Sequence, residues 1–240
     1  MRTDILGVAF DNLTIEEAAA RSMSLLEEGA PHMAVTPNAE IVQYARAHSD
    51  FADLLARADL VLPDGIGVVH ASRILGRPLK GRCPGIDYAG ALMNAMAGTP
   101  RRLYLLGAKP GVAQAAADNL RAAHPGLTIC GVHDGYFQDS DAVAAEIRAA
   151  AADVVFVCLG SPKQEQWMAQ YGAATGARLL IGLGGSLDVF SGQVRRAPKA
   201  FQKLGLEWFY RLCTQPSRIG RMAKLPLFLC SAAAARIRGK

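Results

Sequence analysis

Short apolar runs rich in β-branched residues alternate along the chain with longer, Ala-rich amphipathic stretches. This alternation is typical of βα units that feed a parallel sheet. The predicted strands cover residues 4–8, 32–35, 60–62, 102–106, 127–132, 154–158 and 178–181. The pattern therefore predicts an α/β fold over residues 1–194, with a doubly wound, mostly parallel, Rossmann-like sheet.

Helix starts are marked between these strands. Thr14 and Glu17 have the spacing of a capping box, which predicts a helix that extends to about Glu28. Asp139 or Ser140 can cap another helix that ends near residue 151. These helices supply the crossovers that parallel strands need.

Polar, Gly- and Pro-rich loops follow the predicted strands at residues 36–40, 63–67, 107–111, 133–137, 160–165 and 182–186. In doubly wound sheets, ligands bind beyond the carboxyl ends of the strands, where loops and helix N-termini converge. We therefore expect the functional side chains in these loops.

The C-terminal segment differs from the rest of the chain in its charge. Residues 195–240 hold eleven Lys or Arg and one acid, Glu207, whereas residues 1–194 hold fifteen basic and twenty acidic residues. The basic segment also carries Phe201, Trp208, Phe209 and Tyr210. This mixture predicts a helical, basic, aromatic appendage that contacts the anionic inner leaflet of the cytoplasmic membrane, although a solvated basic face is the plainer alternative. Nucleic acid is not expected, because no RNP, KH or helix-turn-helix signature accompanies the charge.

The sequence shows no sign of export or of a membrane span. The N-terminus lacks a long apolar core, and no run of about 18 apolar residues occurs. Five scattered cysteines lack ligand spacing and are interpreted as reduced core thiols. We therefore expect a cytoplasmic protein, peripherally associated with the membrane, with no metal and no cofactor.

Three loops carry candidate chemistry, each with a simpler alternative. Gly107 to Gly111 precedes a helix and can hold a phosphate, but it is neither a GxGxxG fingerprint nor a Walker A loop, and an ordinary βα turn fits equally. Asp64 directly follows an apolar strand, where its carboxylate can serve as a general base or as the cap of the next helix. Thr36 and Asn38 can bind sugar hydroxyls, or Asn38 can cap a helix.

A metal-diphosphate motif is not evident. Asp139-Ser140-Asp141 has the spelling of a DxD motif, but its place at a helix start favours capping. A departing diphosphate would then be stabilised by protein cations.

Taken in order, the loops resemble the WecG/TagA/CpsF family of bacterial glycosyltransferases. The matching segments run along essentially the whole chain: GV and FD within residues 7–11, TPNAE at 36–40, LPDGIGV at 62–68, RxPG at 82–85, LG and PGVA within 106–113, GYF at 135–137, LGSPKQE at 159–165, GLGG at 182–185 and RRAP at 195–198. Each segment alone is weak, and the ordered set is specific.

The resemblance implies an inverting, metal-independent transferase. Its donor is a UDP-sugar, carrying N-acetylmannosamine, its uronic acid, glucose or a similar sugar. Its acceptor is an undecaprenyl-diphosphate-linked (polyprenyl-diphosphate) sugar of surface polysaccharide synthesis. Carried over by position, Asp64 is the general base, Thr36 and Asn38 are polar residues of the same pocket, Arg82 is a pocket arginine and Gln164 lies near the nucleotide.

The resemblance also implies substrate contacts from the loops and the appendage. The loop residues are Gly107, Gly111, Gly135, Tyr136, Gly160 and Gly184. The appendage arginines are Arg211, Arg218 and Arg221, which would close over the site and stabilise the UDP leaving group. A homo-oligomer is compatible with the family, and the subunit number stays open.

Two other classes compete. A Rossmann-type oxidoreductase is suggested by the two Gly-rich loops, at 107–111 and 182–185, but the dinucleotide fingerprint and its partner acid are missing. A non-catalytic, nucleotide-dependent membrane-binding module would bind UDP and vesicles, and both activities would survive Asp64→Asn.

Overall fold

The computed structural model describes residues 2–29, 31–214 and 224–239. Its strands are β1 (Arg2–Ile5), β2 (Val8–Asp11), β3 (His32–Val35), β4 (Leu60–Val61), β5 (Arg102–Gly107), β6 (Thr128–His133), β7 (Val154–Cys158) and β8 (Leu179–Gly182). Strands β3 to β8 form one sheet in the order β4-β3-β8-β7-β5-β6, with every neighbouring pair parallel. The predicted α/β class and parallel sheet are confirmed.

The first predicted strand, residues 4–8, is wrong. The chain reverses there, because Leu6 and Gly7 adopt left-handed backbone angles with φ of 56° and 90°. Strands β1 and β2 therefore form a separate antiparallel pair. Its buried Ile5, Val8 and Phe10 pack into the core on one face of the large sheet.

Helices flank the sheet in the described ranges: α1 (Ile15–Leu25), α2 (Ala39–Ala47), α3 (Ser49–Ala56), α4 (Ile66–Ile74), α5 (Gly85–Met96), α6 (Val112–Ala123), α7 (Ser140–Ala149), α8 (Lys163–Tyr171), α9 (Ser186–Phe190), α10 (Lys199–Lys203), α11 (Glu207–Thr214) and α12 (Lys224–Ile237). A 3-10 turn covers Gly172–Thr175. The capping box of Thr14 and Glu17 is present on α1, which ends at Leu25 rather than near Glu28.

Core residues lie on both faces of the sheet, as a doubly wound fold requires. Along β5, Leu103 and Leu105 belong to one buried cluster, whereas Tyr104 and Leu106 belong to the other. Alternate residues of a strand point to opposite faces. Both faces are therefore covered, and the carboxyl edge of the sheet is left for chemistry.

Helix α12 packs against α2 and α4 of the body. Phe228 and Ala232 are fully buried, and the Arg236 guanidinium donates to the carbonyl of Leu75 over 3.2 Å. A Cβ at Gly67 would lie 2.5 Å from Leu225 Cδ1 and 3.3 Å from Ala39 Cβ, so a larger residue there would force the Leu225 side chain to shift. The boundary near residue 194 stays a prediction.

None of the helices in the described ranges is long and apolar enough to cross a bilayer. All five cysteines are free. Cys83 and Cys158 are buried, as expected, but Cys213 and Cys230 are exposed, so the interpretation as core thiols is wrong for these two.

Candidate active site

The parallel topology brings the predicted loops to one edge of the sheet. Loops after β3, β4 and β8 carry Thr36, Asn38, Asp64 and Gly184. The ends of β5, β6 and β7 and the segments that follow them carry Gly107, the last residue of β5, then Gly111, Gly135, Tyr136 and Gly160, and Gln164 in the first turn of α8. Because β8 and β7 lie side by side at the centre of the sheet, the two groups form one continuous edge.

Asp64 sits in a loop that is fixed from both sides. Its N–H donates to the carbonyl of Pro37 over 3.1 Å, and the N–H of Cys83 donates to the carbonyl of Pro63 over 2.8 Å. Gly65, with φ of 87°, is the N-cap of α4. Gly65, and not Asp64, therefore occupies the N-cap position of that helix, and the partly buried Asp64 stays a candidate general base.

Thr36 and Asn38 hold the neighbouring loop in place. The buried Thr36 hydroxyl donates to the carbonyl of Gly182 over 2.9 Å, which ties β3 to β8. Asn38 Oδ1 accepts from the N–H groups of Glu40 and Ile41 at 2.9 and 3.1 Å, so Asn38 does cap α2. Contact of either side chain with a sugar stays a prediction.

Gln164 joins the loops after β7 and β8. Its Oε1 accepts from the N–H of Gly184 over 2.9 Å, and its Nε2 donates to Glu165 Oε1 over 2.9 Å. Only 2% of Gln164 is exposed. A Cβ at Gly182 would approach Gln164 Nε2 to 2.8 Å, so that glycine makes room for the amide. Gln164 thus connects the segments after β7 and β8 at the centre of the carboxyl edge of the sheet.

Sequence reasoning missed Glu165, which is 1% exposed. Burial raises the pKa of the Glu165 carboxyl, while hydrogen bonds from Gln164, its own backbone and Ser161 oppose that rise. Its Oε2 is buried without a hydrogen-bond partner. The signal available in the sequence was an acid directly after Gln164, within a helix that must pack on the sheet.

A cavity of about 500 Å³ lies beyond β5, β6 and β7. Its lining includes the predicted Gly135 and Tyr136, together with Lys109, Phe137, Lys163 and Asp188, which were not predicted as site residues. The Lys163 ammonium lies 5.4 Å from the centre of the Phe137 ring. The cavity therefore offers aromatic rings, two cations and one carboxylate to a polar ligand.

Two glycines adopt left-handed backbone angles in the segment around Ala108 and Lys109, which line this cavity. Gly107 has φ of 128°, and a Cβ there would lie 2.3 Å from the carbonyl oxygen of Cys158. Gly111, with φ of 80°, is the N-cap of α6. Backbone N–H groups at such a helix start attract phosphate.

Arg82 contacts the appendage. Its Nη1 pairs with Glu207 Oε2, and its Nη2 donates to the carbonyl of Gln202 over 2.6 Å. Arg211 lies in α11, but its side chain is outside the described part of the structure, as are Arg218 and Arg221 entirely. Their predicted contact with the leaving group stays a prediction.

In the described residues, no three His, Cys, Asp or Glu side chains converge as a metal-binding group. Asp139 Oδ1 accepts from the N–H of Ala142 over 3.0 Å, so the interpretation of the DxD-like spelling as a helix cap is confirmed. Metal independence stays a prediction.

A parallel sheet with a glycine-rich turn before a helix, a carboxylate at a strand end and a cavity lined by two lysines is typical of nucleotide-binding α/β proteins. The profile of the glycosyl transferase WecG/TagA/CpsF family matches residues 3–240. The chain belongs to this family of glycosyltransferases. The oxidoreductase alternative is therefore wrong.

Two relatives show how far the similarity extends. An N-acetylglucosaminyldiphosphoundecaprenol N-acetyl-beta-D-mannosaminyltransferase of Bacillus spizizenii is 39% identical over 204 residues, which cover 85% of this chain and 79% of the relative. A protein of the same name from Staphylococcus aureus is 35% identical over 238 residues, covering 98% of this chain and 93% of the relative.

Proposed function

We propose that this glycosyltransferase moves N-acetylmannosamine from UDP-N-acetylmannosamine to undecaprenyl-diphosphate-linked N-acetylglucosamine, in the synthesis of a cell-envelope polymer. The observation that carries the proposal is the near full-length identity to two transferases with this acceptor and this sugar in their names. The arrangement of Asp64 and the cationic cavity along one sheet edge supports it.

Asp64 is the general base of the proposed reaction. It accepts the proton of the acceptor hydroxyl while that oxygen attacks the anomeric carbon, and the bond to UDP breaks on the opposite face. The relatives' names specify a beta product. From an α-linked UDP-sugar, a beta product requires inversion, which a single displacement provides without a covalent sugar-enzyme intermediate.

UDP occupies the cavity beyond β5 to β7 in this proposal. The Tyr136 ring, 66% exposed, offers a face to the uracil. Lys109 and Lys163 place positive charge where the diphosphate gains negative charge. Arg211, Arg218 and Arg221 add further cations from the appendage, and together they take the part that a metal ion has in DxD enzymes.

The appendage brings the enzyme to the lipid-linked acceptor. Leu204, Phe209, Leu227 and Ile237 are exposed apolar side chains of α10 to α12 and the adjoining turns. They lie in the segment, residues 195–240, that holds eleven Lys or Arg residues and one acid. Apolar contact with the acyl region and attraction to anionic headgroups would then act together at the inner leaflet.

The test measures UDP release from a panel of UDP-sugars with EDTA present, using undecaprenyl-diphosphate sugars in detergent as acceptors. The intact chain should release UDP only with acceptor, and fastest with the N-acetylmannosamine donor. Asp64→Asn, which keeps the shape of the side chain, should lower turnover by about 100-fold or more, the range for loss of a general base.

Three other results would each contradict a different part of the proposal. Turnover that is abolished by EDTA and restored by a divalent cation would contradict metal independence. UDP binding without turnover in the intact chain would favour the non-catalytic module, and absence of UDP binding would overturn the donor assignment.

A further inference from the structure

Four charged side chains connect the appendage to the body beside the Asp64 loop. Arg196 binds both oxygens of Asp87, one at 2.7 Å, and its Nε lies 3.2 Å from Glu207 Oε1. Arg82 pairs with the other oxygen of Glu207. Glu207 therefore bridges two arginines, one from each part of the chain.

Glu207 is the single acid in residues 195–240, among eleven basic residues. Its side chain is 16% exposed, so this carboxylate is removed from solvent and has both oxygens bound to guanidinium groups. A segment that served only to attract anions would gain nothing from this acid. Its place in the network indicates a role toward the body.

The network lies close to the reaction centre. Arg82 directly precedes Cys83, whose N–H holds the carbonyl of Pro63 next to Asp64. Burial, with the charges of Asp64 and Asp87, raises the pKa of Cys83 to about 12, so both carboxylates act on the same thiol. Contacts from Gln202 of α10 and Glu207 of α11 thus hold the Arg82 guanidinium, close in the chain to the contact that fixes the Asp64 loop.

We propose that Glu207 is a positioning residue of the transferase, which holds residues 196–210 on the body and fixes the Arg82 guanidinium beside the Asp64 loop for contact with the anionic substrate. Glu207 acts through Arg82 and does not contact the reacting atoms. The proposal rests on the proposed function for the identity of the ligand. The docking of the segment on the body does not depend on that identity.

The first experiment compares Glu207→Gln with the intact chain by steady-state kinetics on the UDP-sugar. Glu207→Gln should raise KM for the donor about tenfold, the scale of one charge-assisted hydrogen bond, with a thermal unfolding midpoint close to that of the intact chain. Glu207→Asp, which keeps the charge, should recover part of the loss. An unchanged KM, or a fall in kcat that matches a loss of folded protein, would overturn the proposal.

Glu27→Gln is the matched control. Glu27 pairs with Arg101, which keeps a second carboxylate partner in Asp153, and all three lie at the opposite edge of the sheet. The control removes the same charge from an arginine with two acidic partners, so its KM should equal that of the intact chain. A tenfold change in the control would mean that net charge, and not the Glu207 network, controls donor binding.

Arg82→Lys separates docking from positioning. The ammonium keeps an ion pair with Glu207 and adds no new trypsin site, so cleavage within residues 195–214 should stay as slow as in the intact chain, whereas Glu207→Gln is cleaved faster. The KM for the donor should still rise, because a lysine cannot hold the two contacts, to Glu207 and to the carbonyl of Gln202, that fix the guanidinium. An unchanged KM in Arg82→Lys would overturn the positioning role.

The protease measurement needs no substrate. If the intact chain released no UDP with any donor and acceptor, the proposed function would fail while the docking role of Glu207 could still be assessed. Equal cleavage rates in the intact chain and in Glu207→Gln would then overturn the docking role as well.

Discussion

At the scale of single residues, the site depends on contacts between positions far apart in the chain. The sequence pattern located Asp64, Asn38 and Gln164 in strand-end loops, because the alternation of strands and helices predicts where those loops meet. It did not locate their supports. Thr36 binds the carbonyl of Gly182, 146 positions away, and no local pattern encodes such a pairing.

Glu165 provides a residue-scale prediction about pH. Its pKa is raised in the folded state by burial, so the unfolded chain ionises first as the pH rises, and stability falls across that interval. Glu165→Gln removes the ionisation but keeps an oxygen that can accept from Gln164. The variant should therefore be more stable than the intact chain at pH 7 to 8, on the order of 1 kcal/mol, the scale of one poorly satisfied buried polar group.

The measurement is urea unfolding of both proteins from pH 4 to pH 8. The difference in the free energy of unfolding should shrink as the pH falls through the ordinary carboxyl pKa of about 4.3, because below it the Glu165 carboxyl is protonated in the folded and in the unfolded chain. A difference that is constant with pH would show that packing, and not ionisation, distinguishes the two proteins.

At the scale of elements, six of the seven predicted strands form the parallel sheet. Continuous apolar runs bounded by Gly and Pro predict such strands well, because both of their faces are buried. The hairpin of β1 and β2 was missed, because the left-handed backbone at Leu6 is uncommon for a residue with a Cβ and is not evident from composition. Helix α12 was recognised only as part of an appendage, since its docking partners α2 and α4 lie far away in the sequence.

Docking of α12 depends on Phe228, which is fully buried against the body. Phe228→Ala should cost about 3 kcal/mol or more of packing free energy, within the range for large-to-small core substitutions. This loss should release α12 before the sheet unfolds, since Phe228 contributes to one edge of the core. Amide hydrogen exchange should accelerate throughout residues 224–237, while strands β5 and β7 keep their protection.

Leu227→Ala serves as the comparison in the same helix. Leu227 is 64% exposed, so its truncation removes little packing and should leave exchange in α12 nearly unchanged. If both variants accelerated exchange equally, helix propensity rather than burial of Phe228 would be holding the segment.

At the scale of the whole molecule, charge and apolar exposure are concentrated in the same part of the chain. Residues 195–240 carry a strong positive excess, whereas the body is acidic. Leu227 and Ile237, 64% and 86% exposed, lie on the last described helix. An enzyme that takes its donor from water and its acceptor from a bilayer is expected to divide its surface in this way.

Replacing Leu227 and Ile237 tests whether the apolar, basic part of the surface binds membranes. Leu227→Ser with Ile237→Ser should weaken binding to vesicles that contain anionic phospholipid by about tenfold, because two exposed apolar contacts with the acyl region are lost. Turnover on a water-soluble acceptor analogue should stay unchanged, since neither residue lines the site. Vesicle sedimentation at two salt concentrations gives the affinity, and equal binding by both proteins would contradict the assignment of this surface.

The close contact of Gly67 with Leu225 also has a consequence for the order of events in the cell. Helices α2 and α4 leave the ribosome long before α12 is synthesised, so the apolar surface that later receives Phe228 is exposed while the body folds. Chaperones can bind that surface during this interval, and aggregation can begin there. Addition of α12 covers this surface with Phe228 and Ala232, so a nascent chain is protected from aggregation at this surface only after its last described helix has docked.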